Sequence, residues 1–211
     1  MTERLAEQIR RLAEKHTDLP AARAFIKRLQ EEDGLTRDEN PYTHYCVYFA
    51  AYDPAAGKLF VGHHIKSDLW LFNGGHIDAG ETIEETLLRE MGEEWGLEMA
   101  LDSIGEPKLL TITEISNAAK QSCTRHYDIW YFVPIDRDTF APDQALLAKE
   151  YHFMKWLNPG EARKRITDSN TLQAVALLEE IFEQSHALNE RAGSRLDENH
   201  PDMMADQDID N

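Results

Sequence analysis

The chain has 211 residues, of which 42% are hydrophobic and 29% charged, as is typical of a globular protein with one catalytic domain. Its 39 acidic and 22 basic residues give a formal net charge of −17, so its surface should repel long nucleic acids. No long apolar run predicts a membrane span, and the charged N-terminus lacks the apolar core of a signal peptide. Cys46 and Cys123 form no CxxC pair, and we interpret both as small buried apolar residues in a protein of the reducing cytoplasm.

The first forty residues predict a helical hairpin. Two sets of apolar side chains recur at helical spacing: Leu5, Ile9, Leu12 and Ala13, then Ala22, Phe25, Ile26 and Leu29. Gly34 ends the second pattern, and we assign residues 1–40 to this hairpin. Its apolar face could pack on the rest of the protein, cover a binding site or form a homodimer contact, and the sequence leaves these roles open.

Residues 41–188 mix strand and helix patterns. Strands are predicted over residues 45–51, 59–61, 69–72, 109–113, 127–133 and 149–157, and helices over residues 83–95 and about 174–182. Gly96 is expected to close the first of these helices. This order predicts one α/β domain, and the acidic, turn-rich residues 189–211 predict a tail without regular structure.

The helix over residues 83–95 carries three glutamates on one face. Glu90, Glu93 and Glu94 stand at i, i+3 and i+4, so their carboxylates lie close together and repel one another. A hard divalent cation such as Mg²⁺ would make this arrangement favourable, because Mg²⁺ prefers oxygen ligands. Most glutamate-rich helices are merely solvated faces, and only the pattern around them separates the two interpretations.

Two features beside these glutamates support the metal interpretation. Arg89 is the only lysine or arginine between Asp68 and Pro107, and a guanidinium among carboxylates can hold one of them bidentately and keep its pKa low. Upstream, Gly74 and Gly75 allow the backbone to approach a metal or a phosphate closely, with a carbonyl free to bind.

Residues 75–97 read GHIDAGETIEETLLREMGEEWGL and resemble the Nudix hydrolase box, G-x5-E-x7-R-E-U-x-E-E-x-G-U, in which U is a bulky apolar residue. All nine fixed positions match: Gly75, Glu81, Arg89, Glu90, Met91, Glu93, Glu94, Gly96 and Leu97. The strand order over about residues 42–186 also looks like the Nudix fold. We therefore expect a Nudix-type α/β/α sandwich around a mixed sheet, preceded by the N-terminal helical hairpin.

The resemblance implies an enzyme that uses Mg²⁺, or alternatively Mn²⁺, to cleave the diphosphate linkage of a nucleoside diphosphate joined to another moiety. It assigns metal binding to four groups: Glu90, Glu93, Glu94 and the Gly75 carbonyl. Glu90 and Glu93 are expected to act in catalysis, with Glu90 orienting or deprotonating the attacking water. Arg89 and Glu81 would hold the loop–helix–loop together.

A further catalytic acid outside the box is expected, since Nudix enzymes often recruit one. Glu150 is the candidate, because residues 149–157, KEYHFMKWL, look like the glutamate-to-tryptophan strand region of diadenosine tetraphosphate hydrolases. An exposed strand glutamate without a catalytic role is the equally weighted interpretation. Glu114 is the fallback for the same role.

The substrate is left open by the sequence. Three ring-bearing residues are candidates to contact a base or sugar: Trp70, His126 and Tyr127. Each could instead belong to the core. Asn73 stands where many Nudix enzymes have proline, and the tags of ADP-ribose, dinucleoside polyphosphate, NADH and coenzyme A hydrolases are absent. The expected partner is a small nucleotide-type substrate, with neither a long nucleic acid nor a membrane.

Two other functions compete with hydrolysis. A regulatory module could use the same fold to sense a nucleotide without cleaving it, because fold alone does not fix function. An incomplete box would favour that module, and this box is complete. An isopentenyl diphosphate isomerase would need a reactive cysteine in a distinctive local sequence, which Cys46 lacks.

Overall fold

The structure is a computed structural model that describes residues 2–31, 34–115 and 122–197. The helices are α1 (Thr2–Lys15), α2 (Ala22–Gln30), α3 (Ile83–Trp95), α4 (Leu101–Ile104), α5 (Gln144–Glu150), α6 (Pro159–Arg163) and α7 (Ser169–Asp197). The strands are β1 (Thr43–Asp53), β2 (Lys58–His64), β3 (Trp70–Leu71), β4 (Asn73–His76), β5 (Leu109–Glu114), β6 (Arg125–Pro134) and β7 (Tyr151–Leu157). Within these described ranges, no helix is both long and apolar enough to cross a bilayer.

The strands form one mixed, seven-stranded sheet built around β1 and β6. These two strands pair in parallel over ten residues, and the other pairings are antiparallel. Two strands pair along the same edge of β1: β4 pairs with its middle, residues 46–49, and β2 pairs with its last two residues. β5 lies beyond β6, while β3 and β7 both pair with β2. This arrangement places β4, which carries Gly74 and the first glycine of the box, Gly75, next to the central strand.

Helices cover both faces of the sheet. Since side chains alternate along a strand, Val47 and Phe49 of β1 face one side while Ala50 faces the other. The first side is covered by α1, α2 and α3, and the second by α6 and α7. The expected α/β/α sandwich around a mixed sheet is therefore confirmed.

The N-terminal hairpin shares the core of the sheet. Leu5, Ile9 and Phe25 are buried together with residues of β1 and β6, and the hydroxyl of Tyr45 donates to the Phe25 carbonyl at 3.1 Å. The side chain of Gln8 reaches the start of α3, where its amide contacts Glu84 at 2.6 Å and its oxygen accepts from a backbone amide. Of the three roles left open for the apolar face, the structure shows packing on the sheet.

The structure corrects two boundaries near the C-terminus. Residues 149–150 belong to α5, which the sequence analysis missed, and β7 begins only at Tyr151. Asp143 caps α5, and residues 144–150 are mostly good helix formers. The prediction that regular structure ends before residue 189 is wrong for residues 189–197, which continue α7. Extending an established helix avoids the cost of starting one. The rest of the predicted tail, residues 198–211, lies outside the described residues.

Candidate metal and catalytic site

Helix α3 is fixed at both ends and along one side. The Thr82 hydroxyl accepts a hydrogen bond from the Glu85 amide (3.2 Å), and the Glu85 carboxylate accepts one from the Thr82 amide (2.8 Å). This capping box satisfies two amides at the start of the helix. Gly96 ends the helix with φ 67°, a left-handed conformation that glycine adopts without strain. The buried apolar side, which sets the direction of the glutamates, consists of Ile83, Leu87, Met91 and Trp95.

Glu94 is a buried carboxyl held by polar groups of β4. It accepts hydrogen bonds from the side-chain amide of Asn73 and from the Gly74 amide, the second at 3.1 Å. Burial raises the pKa of Glu94 to about 8, even though these two hydrogen bonds favour the carboxylate. Among the described residues, no basic side chain forms an ion pair with Glu94, so its negative charge lacks a nearby positive one.

Glu90 lies directly against Gly75, one residue further along β4. A side chain at position 75 would collide with the Glu90 carboxylate, so a larger residue there would displace this carboxylate from its present place. Burial raises the pKa of Glu90, and the neighbouring guanidinium of Arg89 partly offsets this effect. The carboxylate of Glu90 and the backbone of Gly75 therefore line the same space.

Arg89 connects the loop before α3 to two glutamates of the helix. Its Nε and Nη2 donate to the two carboxylate oxygens of Glu81 at 2.7 and 3.0 Å. Its Nη1 donates to Glu90 at 2.7 Å and to Glu93 at 3.2 Å, and Nη2 also donates to the His76 carbonyl at 2.9 Å. Burial alone would raise the pKa of Glu81, but hydrogen bonds led by that from Arg89 bring it below the ordinary value.

The groups around Gly75 suit a hard divalent cation. Glu90 and Glu94 are buried carboxyls with raised pKa values, and a bound cation would favour their charged forms. Glu93 is the most accessible of the three glutamates, with its side chain 62% exposed. In the part of the chain that the structure describes, three clusters of potential ligand atoms converge within 4.8 Å, and none contains a glutamate of α3. Glu90 and Glu93 instead converge on Arg89.

Glu150 ends α5 close to the box glutamates. Its negative charge contributes to the raised pKa of Glu94. Its carboxylate accepts from the ammonium of Lys66 at 3.0 Å, and His64 Nε2 lies 3.5 Å away. The fallback residue Glu114 is exposed at the end of β5, where it pairs with Arg125 at 2.6 Å. Of the two acids, Glu150 is the one whose charge contributes to the raised pKa of Glu94.

The three candidate substrate-binding residues lie in different places. Trp70 is half-buried on β3, with the guanidinium of Arg165 5.6 Å from its ring centre. Tyr127 is 5% exposed and packs on Tyr45 and Phe25 beneath the hairpin, and this packing argues against the predicted contact with a base. Side chains alternate along β6, so His126 faces the other side of the sheet.

His126 belongs to a buried cluster that the sequence analysis missed. Its ring centre lies 4.9 and 5.0 Å from those of His44 and His76, and Cys123 completes the group. Burial lowers the pKa of His76 to about 3 and that of His126 to about 2, so both rings are neutral at pH 7. Enclosure in this cluster also argues against stacking of His126 on a base. The only local signal in the sequence was the short spacing between Cys123 and His126.

Comparison with known proteins points to one family. A family model described as NUDIX domain matches residues 42–176. The dihydroneopterin triphosphate pyrophosphohydrolase of E. coli is similar in structure, with a TM-score of 0.52 and 16% identity over 62% of this chain and 91% of its own. No curated protein matches the chain.

Two further solved structures are less similar. The MutT protein of Methanosarcina mazei Go1 is 15% identical, covers 70% of this chain and 96% of its own, and has a TM-score of 0.48. A NUDIX family hydrolase from Clostridium perfringens is 17% identical, covers 67% and 97%, and has a TM-score of 0.44. Identities this low show the fold alone, and of the three structures only the first has a TM-score above 0.5.

Proposed function

The chain belongs to the Nudix family of hydrolases, because the matching domain model spans more than half of it. On this basis we propose which bond it cleaves. The proposed reaction is metal-dependent hydrolysis of the diphosphate linkage in a nucleoside diphosphate joined to another moiety. The observation that carries the proposal is the pair of buried carboxyls, Glu90 and Glu94, beside the close approach at Gly75.

Mg²⁺ is the proposed cofactor, with Mn²⁺ as an alternative, and Glu90, Glu93, Glu94 and the Gly75 carbonyl are the groups that would hold it. When bound, such an ion neutralises diphosphate charge and lowers the pKa of water. The amides of Asn73 and Gly74 orient the Glu94 carboxylate. Arg89 and Glu81 keep the loop before α3 in place, so that the carboxylates stay positioned for the reaction.

A small nucleotide-type substrate fits both the family and the strongly acidic surface. The formal charge of −17 disfavours a long polyanion, whereas a bound divalent cation offsets the charge of a short diphosphate locally. Trp70 remains the proposed contact for a base, since it is the candidate that keeps an accessible ring. We also propose a cytoplasmic location, which the two free cysteines support. We do not propose a homodimer through the hairpin, because its apolar face is already buried against the sheet.

A panel of nucleoside triphosphates, sugar nucleotides and dinucleotides, assayed with Mg²⁺ and with Mn²⁺, tests the proposal. At least one compound should release phosphate or pyrophosphate products in a metal-dependent reaction. The alternative, a nucleotide-sensing module, predicts ligand binding by calorimetry with no product from the same compound. Binding without turnover across the whole panel would therefore reject the hydrolase.

Glu150→Gln should lower kcat roughly 100-fold while KM stays within about threefold, because the amide keeps the shape of the side chain but accepts no proton from water. The variant should remain folded, since Glu150 contacts an exposed lysine whose ion pair contributes little to stability. Steady-state kinetics with the substrate that the panel identifies measures the effect.

Glu114→Gln is the matched control for this experiment. Its carboxylate is exposed and paired with Arg125, so kcat should be unchanged. If Glu114→Gln causes the loss and Glu150→Gln does not, the fallback assignment replaces Glu150.

A further inference from the structure

Four side chains with metal-binding atoms meet on the face of the sheet opposite α3. His44 lies on β1 and His126 on β6, and the parallel register sets these two residues side by side. His76 is the last residue of β4 and lies opposite Cys46 of β1 in the antiparallel pairing of these two strands. Cys123 lies just before β6. One ligand atom from each of His44, His76, Cys123 and His126 lies within 4.8 Å of all the others.

Two imidazole nitrogens of this cluster lack hydrogen-bond partners among the described residues. His44 Nδ1 donates to the Asn40 carbonyl at 2.8 Å, so the proton sits on Nδ1 and Nε2 keeps a free lone pair. Among the residues described, the buried Nε2 atoms of His44 and His126 have no partner, and these side chains are 0% and 7% exposed. A buried polar atom without a partner destabilises the folded protein, and a bound metal ion would give these two lone pairs a partner.

The donor set points to a particular class of metal ion. Imidazole nitrogen and thiolate sulfur bind Zn²⁺ well, whereas Mg²⁺ prefers oxygen ligands. Cys123 Sγ lies 3.8 Å from His76 Nε2. Tetrahedral zinc, with bonds of about 2.3 Å to sulfur and about 2.0 Å to nitrogen, would separate such a pair by about 3.5 Å. The carbonyl that fixes His44 also matches the outer hydrogen bond that metal-bound histidines usually make.

We propose that His44, His76, Cys123 and His126 form a structural zinc site, distinct from the glutamates of α3. Four protein ligands leave no open position for water or substrate, as is typical of zinc with a structural role. Zinc binding would release the thiol proton of Cys123 to solvent. The ion would connect β1, β4 and β6, and because His76 follows Gly75 it would also fix the strand that lines the box.

A second cluster shares one member with this site and has to be distinguished from it. Cys46, His126 and Asp128 also bring ligand atoms within 4.8 Å of one another. One oxygen of Asp128 already accepts from the hydroxyls of Thr111 and Thr113 at 3.1 and 2.6 Å. Its other oxygen, Oδ1, has no partner among the described residues. The cluster with Cys123 is still the fuller site, because it brings together four ligand atoms and this one only three.

Metal analysis of the full chain tests the site without any substitution. Protein prepared without an affinity tag and loaded with zinc should retain about one ion per chain after gel filtration, even in excess Mg²⁺. Its zinc X-ray absorption spectrum should show about one sulfur and three nitrogen neighbours. Failure to retain zinc, or a zinc environment without sulfur, would overturn the proposal.

Cobalt titration of the metal-free protein identifies the thiolate. Co²⁺ bound at the proposed site should give a thiolate-to-metal absorption band, which the oxygen ligands of α3 do not produce. Cys123→Ser should abolish the band, while Cys46→Ser, the matched change at the other buried thiol, and Glu93→Gln should keep it. A band that survives Cys123→Ser, or that is lost in Cys46→Ser, would contradict the site as assigned.

Discussion

Glu93→Gln is expected to lower kcat/KM by roughly 100-fold to 1,000-fold, equivalent to about 3–4 kcal/mol of transition-state stabilisation. The substitution removes one charge and one ligand from the proposed metal site but keeps the size of the side chain. Because Glu93 is the most exposed of the three glutamates, the fold should tolerate the change. The measurement is steady-state hydrolysis of whichever nucleotide the panel identifies, over a range of Mg²⁺ concentrations.

Glu98→Gln is the matched control for this loss. Glu98 is exposed just after α3, and its substitution should leave kcat/KM within about twofold, as is usual for surface positions. Excess EDTA should abolish the activity of the unsubstituted chain, and added Mg²⁺ should restore it. Full activity of Glu93→Gln, or hydrolysis that continues in EDTA, would rule out the metal-dependent mechanism.

Arg89→Ala should lower the free energy of unfolding by about 3 kcal/mol, because removing one partner leaves buried carboxylates unpaired. The Arg89 side chain is 25% exposed, and those of Glu81 and Glu90 are 21% and 12% exposed, so water compensates only in part. Urea denaturation with an unchanged m-value measures the loss. Activity should fall as well, because Glu90 loses the group that holds it.

Arg125→Ala provides the comparison on the surface. Its ion pair with Glu114 is also short, but both side chains are largely exposed, so the expected loss is below about 1 kcal/mol. Arg89→Lys should fall between the two, since lysine keeps the charge but lacks the bidentate geometry used with Glu81. Equal destabilisation by Arg89→Ala and Arg125→Ala would show that burial does not strengthen the Arg89 network.

The sequence predicted α3 and its surroundings well because these features are local. The end of the helix at Gly96 and the shared face of Glu90, Glu93 and Glu94 follow from helix geometry and spacing. The link between Arg89 and Glu81 was expected from the resemblance to the Nudix box, and the structure shows these two side chains hydrogen-bonded. The fold class followed in turn, because strand and helix patterns alternate in a clear order.

Contacts between segments that are distant in the chain could not be predicted from local sequence patterns. The cluster of His44, His76, Cys123 and His126 joins three strands and a loop, so only the sheet register brings its members together. The assignment of both His126 and Tyr127 to the substrate was inconsistent in itself, since neighbouring strand residues face opposite sides. That alternation alone argues against a binding surface shared by these two side chains.

The contact between the hairpin and α3 bears on how the protein can be shortened. The family model begins at residue 42, but Gln8 holds the first turn of α3, and Phe25 covers Tyr45 and Tyr127. A fragment trimmed to the family match would expose an aromatic surface on the central strands, and such surfaces promote aggregation. The unit that folds therefore includes the N-terminal hairpin and is longer than the segment that the family model matches.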